Sequence, residues 1–319
     1  MKKFVCLLLL SALLLCGCGK KTKLVPYDES EFSYGSREAA ILLDGSALPR
    51  DLYDYYFLSY SEQVKTEAEE EARFLLTPES ERSLPDEDQI RQKAADLTVK
   101  ELRHFLAVRE LATGYELSLD KETREGIAET VKKATESDLN AAHMTAECYF
   151  NLLLNDSLEA LLFDYMTEEA TGVIDSTDET VEKDLREHFY AAVQIYVPAG
   201  EDRAAALERA QALAEQAEGA DIQAFVKLAV AEGDAAGIRY FTDGYAEPFF
   251  EEAVKALQPG ETSKLIESGM GYHLIRRVAL DENYLRENFE SLRYDFLTRR
   301  YNELVAEKAD GYKVGFPTA

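Results

Sequence analysis

Four cysteines and four histidines are the residues in this chain best suited to metal binding, nucleophilic attack or proton transfer. His104, His143, His188 and His273 are scattered along the 319 residues, and no Cys/His spacing suggests a metal site. Cys148 lies in an apolar stretch, Cys148-Tyr149-Phe150, and reads as a buried, inert thiol. A catalytic cysteine there is the alternative, but nothing recognisable flanks it. The other three, Cys6, Cys16 and Cys18, crowd into the N-terminal segment.

That segment explains them. Met1-Lys2-Lys3 is a short basic start, Phe4 to Cys16 is apolar, and Leu15-Cys16-Gly17-Cys18-Gly19 closes the run with small residues. It reads as a secretory signal peptide, too short to span a bilayer in the mature protein. The Leu-x-Gly-Cys ending resembles a bacterial lipobox, which implies cleavage before Cys18 and acylation of that residue. One acyl chain anchors only marginally, so the resemblance implies a diacylglyceryl-cysteine. An ordinary signal with an incidental Cys18 is the alternative. In the mature chain Cys148 then has no partner for an intrachain disulfide. The expected location is extracytoplasmic, on the bacterial cell membrane through the lipid anchor only.

The net charge is −26. Loss of Lys2 and Lys3 with residues 1–17 leaves 33 basic against 61 acidic side chains, or −28. Such a chain will not seek nucleic acid or anionic lipid.

The remaining residues must be positioned by a chain of changing character. Residues 19–35 are polar and broken by Pro26 and Gly35, as in a tether. Residues 38–46 read as a short strand ending in an Asp44-Gly45 turn. Tyr53, Tyr56, Phe57, Tyr60 and Val64 recur at helical spacing, and residues 76–86 break that helix with two prolines. Ala95, Val99, Leu102 and Leu106 mark a second helix ending near Gly114. Asp120 caps a third, running to about Glu136. Leu158, Leu161, Leu162 and Tyr165 mark another, and residues 178–190 a further short one.

Near residue 191 the pattern changes. Residues 192–198 alternate as a strand, 201–218 and the Phe225 region are helical, and 238–241 is a strand. Residues 247–257 form a helix stopped by Pro259-Gly260, and 262–267 and 272–279 are two strands. This order, β-α-α-β-α-β-β, predicts a compact α+β domain. Leu285, Phe289, Leu292 and Phe296 start a last helix running toward Lys308, which can fold back on the N-terminal helices.

Three motifs in this α+β segment carry a resemblance. Gly244-Tyr245-Ala246-Glu247-Pro248-Phe249-Phe250-Glu251-Glu252-Ala253 looks like G-x-M-x-P-x-F-E-x-A. Leu257-Gln258-Pro259-Gly260-Glu261-Thr262-Ser263 looks like L-x-P-G-E-x-S, and Gly271-Tyr272-His273-Leu274-Ile275 like G-Y-H-I-I. In this order they resemble a parvulin-type peptidyl-prolyl isomerase domain. The whole layout is similar to PrsA-like and SurA-like extracytoplasmic foldases.

The resemblance implies an α+β fold with a four-stranded antiparallel sheet, inserted between all-α N- and C-terminal chaperone segments. Its boundaries are a signal peptide at 1–17, a tether at 18–35, a helical chaperone-like domain at 36–183, the isomerase domain at 184–281 and a C-terminal helix at 282–319. It implies cis–trans isomerisation of X-Pro bonds in unfolded secreted polypeptides, without cofactor or metal, and leaves a homodimer open. Phe250 matches the family's proline-pocket phenylalanine and His273 its second histidine. Ala246 stands where the family has the pocket methionine, and Gln194 where it has the first histidine. Asp234, in a shortened loop, is the nearest candidate for the family's acid. Tyr240 and Phe241 read as strand residues that line the same cleft, with plain core packing as the alternative.

The chemistry needs little more. A prolyl amide rotates over a barrier of about 18–20 kcal/mol, and no bond is broken. An apolar pocket for the ring and a few polar groups for the carbonyl suffice to favour the twisted amide. The departures at Gln194, Ala246 and the loop predict reduced activity. The alternative is a catalytically inactive holdase that works through its helical arms. The Tyr53/Tyr56/Phe57/Tyr60 stripe then reads either as helix packing or as a surface for unfolded segments.

Overall fold

The computed structural model describes residues 39–74, 85–142, 144–200, 202–232 and 237–317. The signal peptide, Cys18, the tether and Asp234 lie outside the described residues.

Strands β1 (Ala39–Leu43) and β2 (Ser46–Pro49) form a hairpin. Asp44 and Gly45 both take positive φ, 46° and 89°, which matches the twist of a two-residue turn. Among the described residues eleven α-helices follow in chain order. Five precede the central sheet's approach: α1 (Arg50–Phe74), α2 (Glu87–Gly114), α3 (Lys121–Lys133), α4 (Glu136–Ala141) and α5 (Ala146–Thr167). The reading of residues 120–136 as one helix is corrected here, because Thr135 caps a separate short helix with Asp138. Asp86 and Gln89 form a reciprocal cap at the start of α2, and Asp120 caps α3.

After α6 (Asp178–His188) the chain runs directly into β3 (Phe189–Pro198). Then come α7 (Arg203–Ala217), α8 (Ile222–Glu232), β4 (Arg239–Thr242), α9 (Pro248–Ala256), β5 (Ile266–Glu267) and β6 (Gly271–Val278). Helices α10 (Glu282–Glu287) and α11 (Phe289–Asp310) and strand β7 (Val314–Gly315) close the chain. The fold is α+β.

The first core joins both ends of the sequence. Ile41, Leu43, Leu52, Leu102, Phe105 and Leu162 pack with Leu292, Phe296 and Val305 of α11. Strand β7 pairs with β1, so the C-terminus completes a small sheet begun at the N-terminus. The Tyr stripe of α1 is half-buried, with Tyr53 and Tyr56 against this core and the Tyr60 hydroxyl donating to Glu101 at 2.9 Å. Among the described residues no helix is long and apolar enough to cross a membrane.

The second body is the antiparallel sheet β4-β3-β6-β5. Side chains alternate across it. Val193, Ile195, Val197, Tyr272 and Leu274 pack beneath α7 and α8, against Ala210, Leu213 and Phe225. Tyr190, Ala192, Phe241 and Ile275 pack beneath α9, against Phe250 and Val254. Gly271 opens β6 where only glycine fits: a Cβ there would lie 2.1 Å from the Val197 carbonyl oxygen.

Candidate functional site

The α9 face of the sheet collects the candidate residues by register. His273 sits in β6 opposite Tyr196 of β3 and Ile266 of β5. Gln194 is two residues from Tyr196 along β3 and therefore shares its face. His273 Nε2 is 2.7 Å from the Ser268 hydroxyl, and Nδ1 is 3.4 Å from Gln194 Oε1. With Gln194 presenting an acceptor, Nδ1 carries the proton and Nε2 accepts from Ser268. The imidazole is stacked on Tyr196, centroids 4.9 Å apart, and tilted against Phe249 at 4.7 Å. Only 2% of His273 is exposed. Burial lowers its pKa from the ordinary histidine value, with the Glu247 carboxylate opposing the shift. The ring is held neutral near pH 7.

Phe250 follows on the same side of the sheet, one residue along α9 from Phe249. It packs on Phe241, centroids 5.6 Å apart, and is fully buried at 0% exposure. The Arg239 guanidinium carbon lies 4.6 Å from the Phe250 ring centre, and Arg239 pairs with Glu247 at 3.2 Å. Ala246 is half-buried against the same cluster. The family-matched side chains thus converge, but under a closed surface. Two cavities, of about 420 Å³ beside Tyr312 and about 570 Å³ along α8, lie elsewhere.

The other end of α9 is fastened by charge. Asp243 accepts from His188 at 2.8 Å and pairs with Lys255 at 2.7 Å, and Glu251 accepts from the Gly244 N–H at 2.9 Å. Burial alone would raise the Asp243 pKa, but the Lys255 and His188 contacts outweigh it and hold it low.

Tyr240 does not join the site. It is adjacent to Phe241 on β4 and so points to the opposite face, where it stacks on Tyr284 of α10 at 3.6 Å and on Phe189 at 6.1 Å. The expectation that both aromatics line one cleft is corrected by the period of two in a strand. Ser268, Tyr196 and Phe249 were not expected. Tyr196 was findable, since Gln194 fixes the face of every second residue in β3. Ser268 belongs to a turn and Phe249 precedes the matched Phe250, so neither carried a signal. Among the described residues no group of three or more His, Cys, Asp or Glu could hold a metal ion. The site can orient a carbonyl through neutral donors against aromatic walls.

Residues 188–279 match the rotamase family, the PPIC-type peptidyl-prolyl isomerase domain. The parvulin-type resemblance carried by the three C-terminal motifs is thereby upheld. No curated protein sequence matches the chain. Among solved structures it is similar to the peptidylprolyl isomerase PrsA of Bacillus anthracis, with 21% identity over 66% of this chain and 93% of that one, TM-score 0.32. It is also similar to the foldase PrsA of Streptococcus pneumoniae, with 19% identity over 67% and 85%, TM-score 0.29. A structure of the SurA-like chaperones of Campylobacter jejuni is 12% identical over 89% and 100%, TM-score 0.31.

Proposed function

We propose that this chain is an extracytoplasmic foldase, anchored through a lipidated Cys18, whose module at 184–281 isomerises X-Pro bonds in unfolded secreted polypeptides with reduced activity. In this reading residues 1–17 are the signal, 18–35 the tether, and 36–183 with 282–319 the arms that hold the client. Distinct hydrophobic clusters on the two faces of the sheet and in the helical part support that division, with Leu185 and Phe189 of the module docking on the helical core.

One observation carries the catalytic part: within the segment that matches a prolyl isomerase family, His273 is held by Ser268 and Gln194 on the sheet face that also bears Phe250. As the amide twists, its nitrogen recovers a lone pair and becomes the better hydrogen-bond acceptor, so fixed neutral donors beside it can favour the twisted form while polar groups hold the carbonyl in orientation. Gln194 can donate through its amide but cannot gain a proton as histidine would. Ala246 gives the proline ring less wall than methionine.

The buried state of Phe250 favours the second reading, a holdase with an idle isomerase domain. NMR exchange spectroscopy on a short proline peptide with the soluble chain, lacking residues 1–18, separates them. Faster exchange supports the enzyme; none at high protein concentration, with client aggregation still suppressed, supports the holdase. Incorporation of labelled fatty acid, lost in Cys18→Ala, tests the anchor.

A further inference from the structure

Phe250 has no exposed surface, yet it is not sealed by the core alone. Phe241 backs its ring on the sheet side. The Arg239 guanidinium covers it, and the Arg239 side chain is itself 38% exposed, so arginine is the layer between ring and water. Glu247, the residue preceding α9, grips that guanidinium through both terminal nitrogens at 3.2 Å. Glu247 lies three positions before Phe250, so the carboxylate stands about one helical turn before the ring.

We propose that Arg239 is a built-in occupant of the proline subsite, a side chain that a client's proline must displace before it can reach Phe250. The proposal rests on reading Phe250 as the pocket residue. A planar, weakly hydrated guanidinium and a pyrrolidine ring compete for the same feature, the flat apolar face of an aromatic ring. They cannot share it. The ion pair that holds Arg239 over the buried ring is solvent-facing, since the Glu247 side chain is 52% exposed, so this grip is weak and the guanidinium can swing out. Displacement leaves the packing of Phe241, Val254 and Ile275 around the ring in place. Arg239 thereby sets which segments are processed: those whose proline, with its neighbours, binds well enough to replace an ion pair and a ring contact.

The test uses the soluble full chain as wild type, Arg239→Ala and Glu247→Gln. Exchange spectroscopy on a proline peptide gives the isomerisation rate, and peptide titration gives affinity. Arg239→Ala is expected to raise kcat/KM about three- to thirtyfold, the range that one exposed ion pair and one cation–π contact can hold back, with most of the change in KM. Glu247→Gln keeps the arginine but releases its grip, and is expected to give a smaller rise in the same direction. Wild-type turnover that is unchanged or slower in Arg239→Ala, with affinity unchanged, overturns the occupant and leaves the isomerase reading intact. Tighter peptide binding without turnover in either form upholds the occupant and removes the isomerase reading. Neither binding nor turnover in any form overturns both.

Discussion

His273 lies almost flat on Tyr196, planes 20° apart, because the two are direct partners in the β3–β6 ladder and project from the same face. The stack, the Ser268 contact and the Gln194 contact together leave the imidazole no room to turn. Such a ring is a fixed dipole rather than a mobile base. Replacing it with alanine removes both the wall and the partner that orients the Gln194 amide, and isomerisation by the soluble chain is expected to fall about ten- to a hundredfold by exchange spectroscopy. Full activity in His273→Ala would remove the residue from the site.

Burial also makes His273 a source of acid sensitivity. Its folded pKa lies below its ordinary value, so the unfolded state takes up the proton more readily. The contribution of the neutral ring is fully present above about pH 6.5 and is lost as pH falls below it. Urea unfolding of wild type and His273→Gln at pH 7.5 and pH 5 isolates this: the gap between them should close or reverse toward acid. A gap independent of pH rejects the burial account.

The helical part carries the opposite kind of carboxyl. Burial, with Glu159 and Glu101 nearby, raises Asp156 from 3.8 to about 6. The unfolded chain therefore loses this proton first, and stability falls as pH rises from 3.8 through about 6. Asp156→Asn is expected to stabilise the chain by about 1–3 kcal/mol above pH 7 and by almost nothing below pH 4. Equal stabilisation at both pH values would mean that the charge is not what burial penalises.

Gly271 is a steric requirement. Gly271→Ala drives a Cβ into the Val197 carbonyl at the point where β6 begins its pairing with β3. A loss of about 3 kcal/mol or more is expected in denaturant unfolding, because the obstacle is backbone and cannot rotate away. A loss below about 1 kcal/mol would mean that the β3–β6 register shifts to accommodate it.

Much of this architecture was legible. His273 and Phe250 stood in local motifs, and the helices of the α+β segment announced themselves by apolar period and by Pro259-Gly260. What was hidden depends on register or on distance in sequence. The two-residue β7 gains its pairing only when it meets β1 from the far end of the sequence. Tyr240 looked like a neighbour of Phe241 but lies across the sheet from it, in contact with Tyr284. Arg239 carried no signal at all, since its place over Phe250 follows from how β4 sits beside α9.

The two departures from the family pattern can be reversed in one variant. Gln194→His places a second imidazole where Oε1 now meets His273 Nδ1 at 3.4 Å. Unlike the amide, that ring can exchange donor and acceptor nitrogens and carry a proton at mild pH. Ala246→Met adds a flexible apolar chain to the half-buried edge of the Phe249–Phe250 cluster, where the proline ring needs a wall. One gained hydrogen bond of about 1.4 kcal/mol in the twisted state is a tenfold rate, so the double variant is expected to isomerise a proline peptide about tenfold faster. The histidine change should act on kcat and the methionine change on KM, and their effects should couple, because both side chains face the same ring of the client. A rate unchanged or lowered by both substitutions, in a chain that melts as the wild type does, would mean that Gln194 and Ala246 do not border the reacting amide.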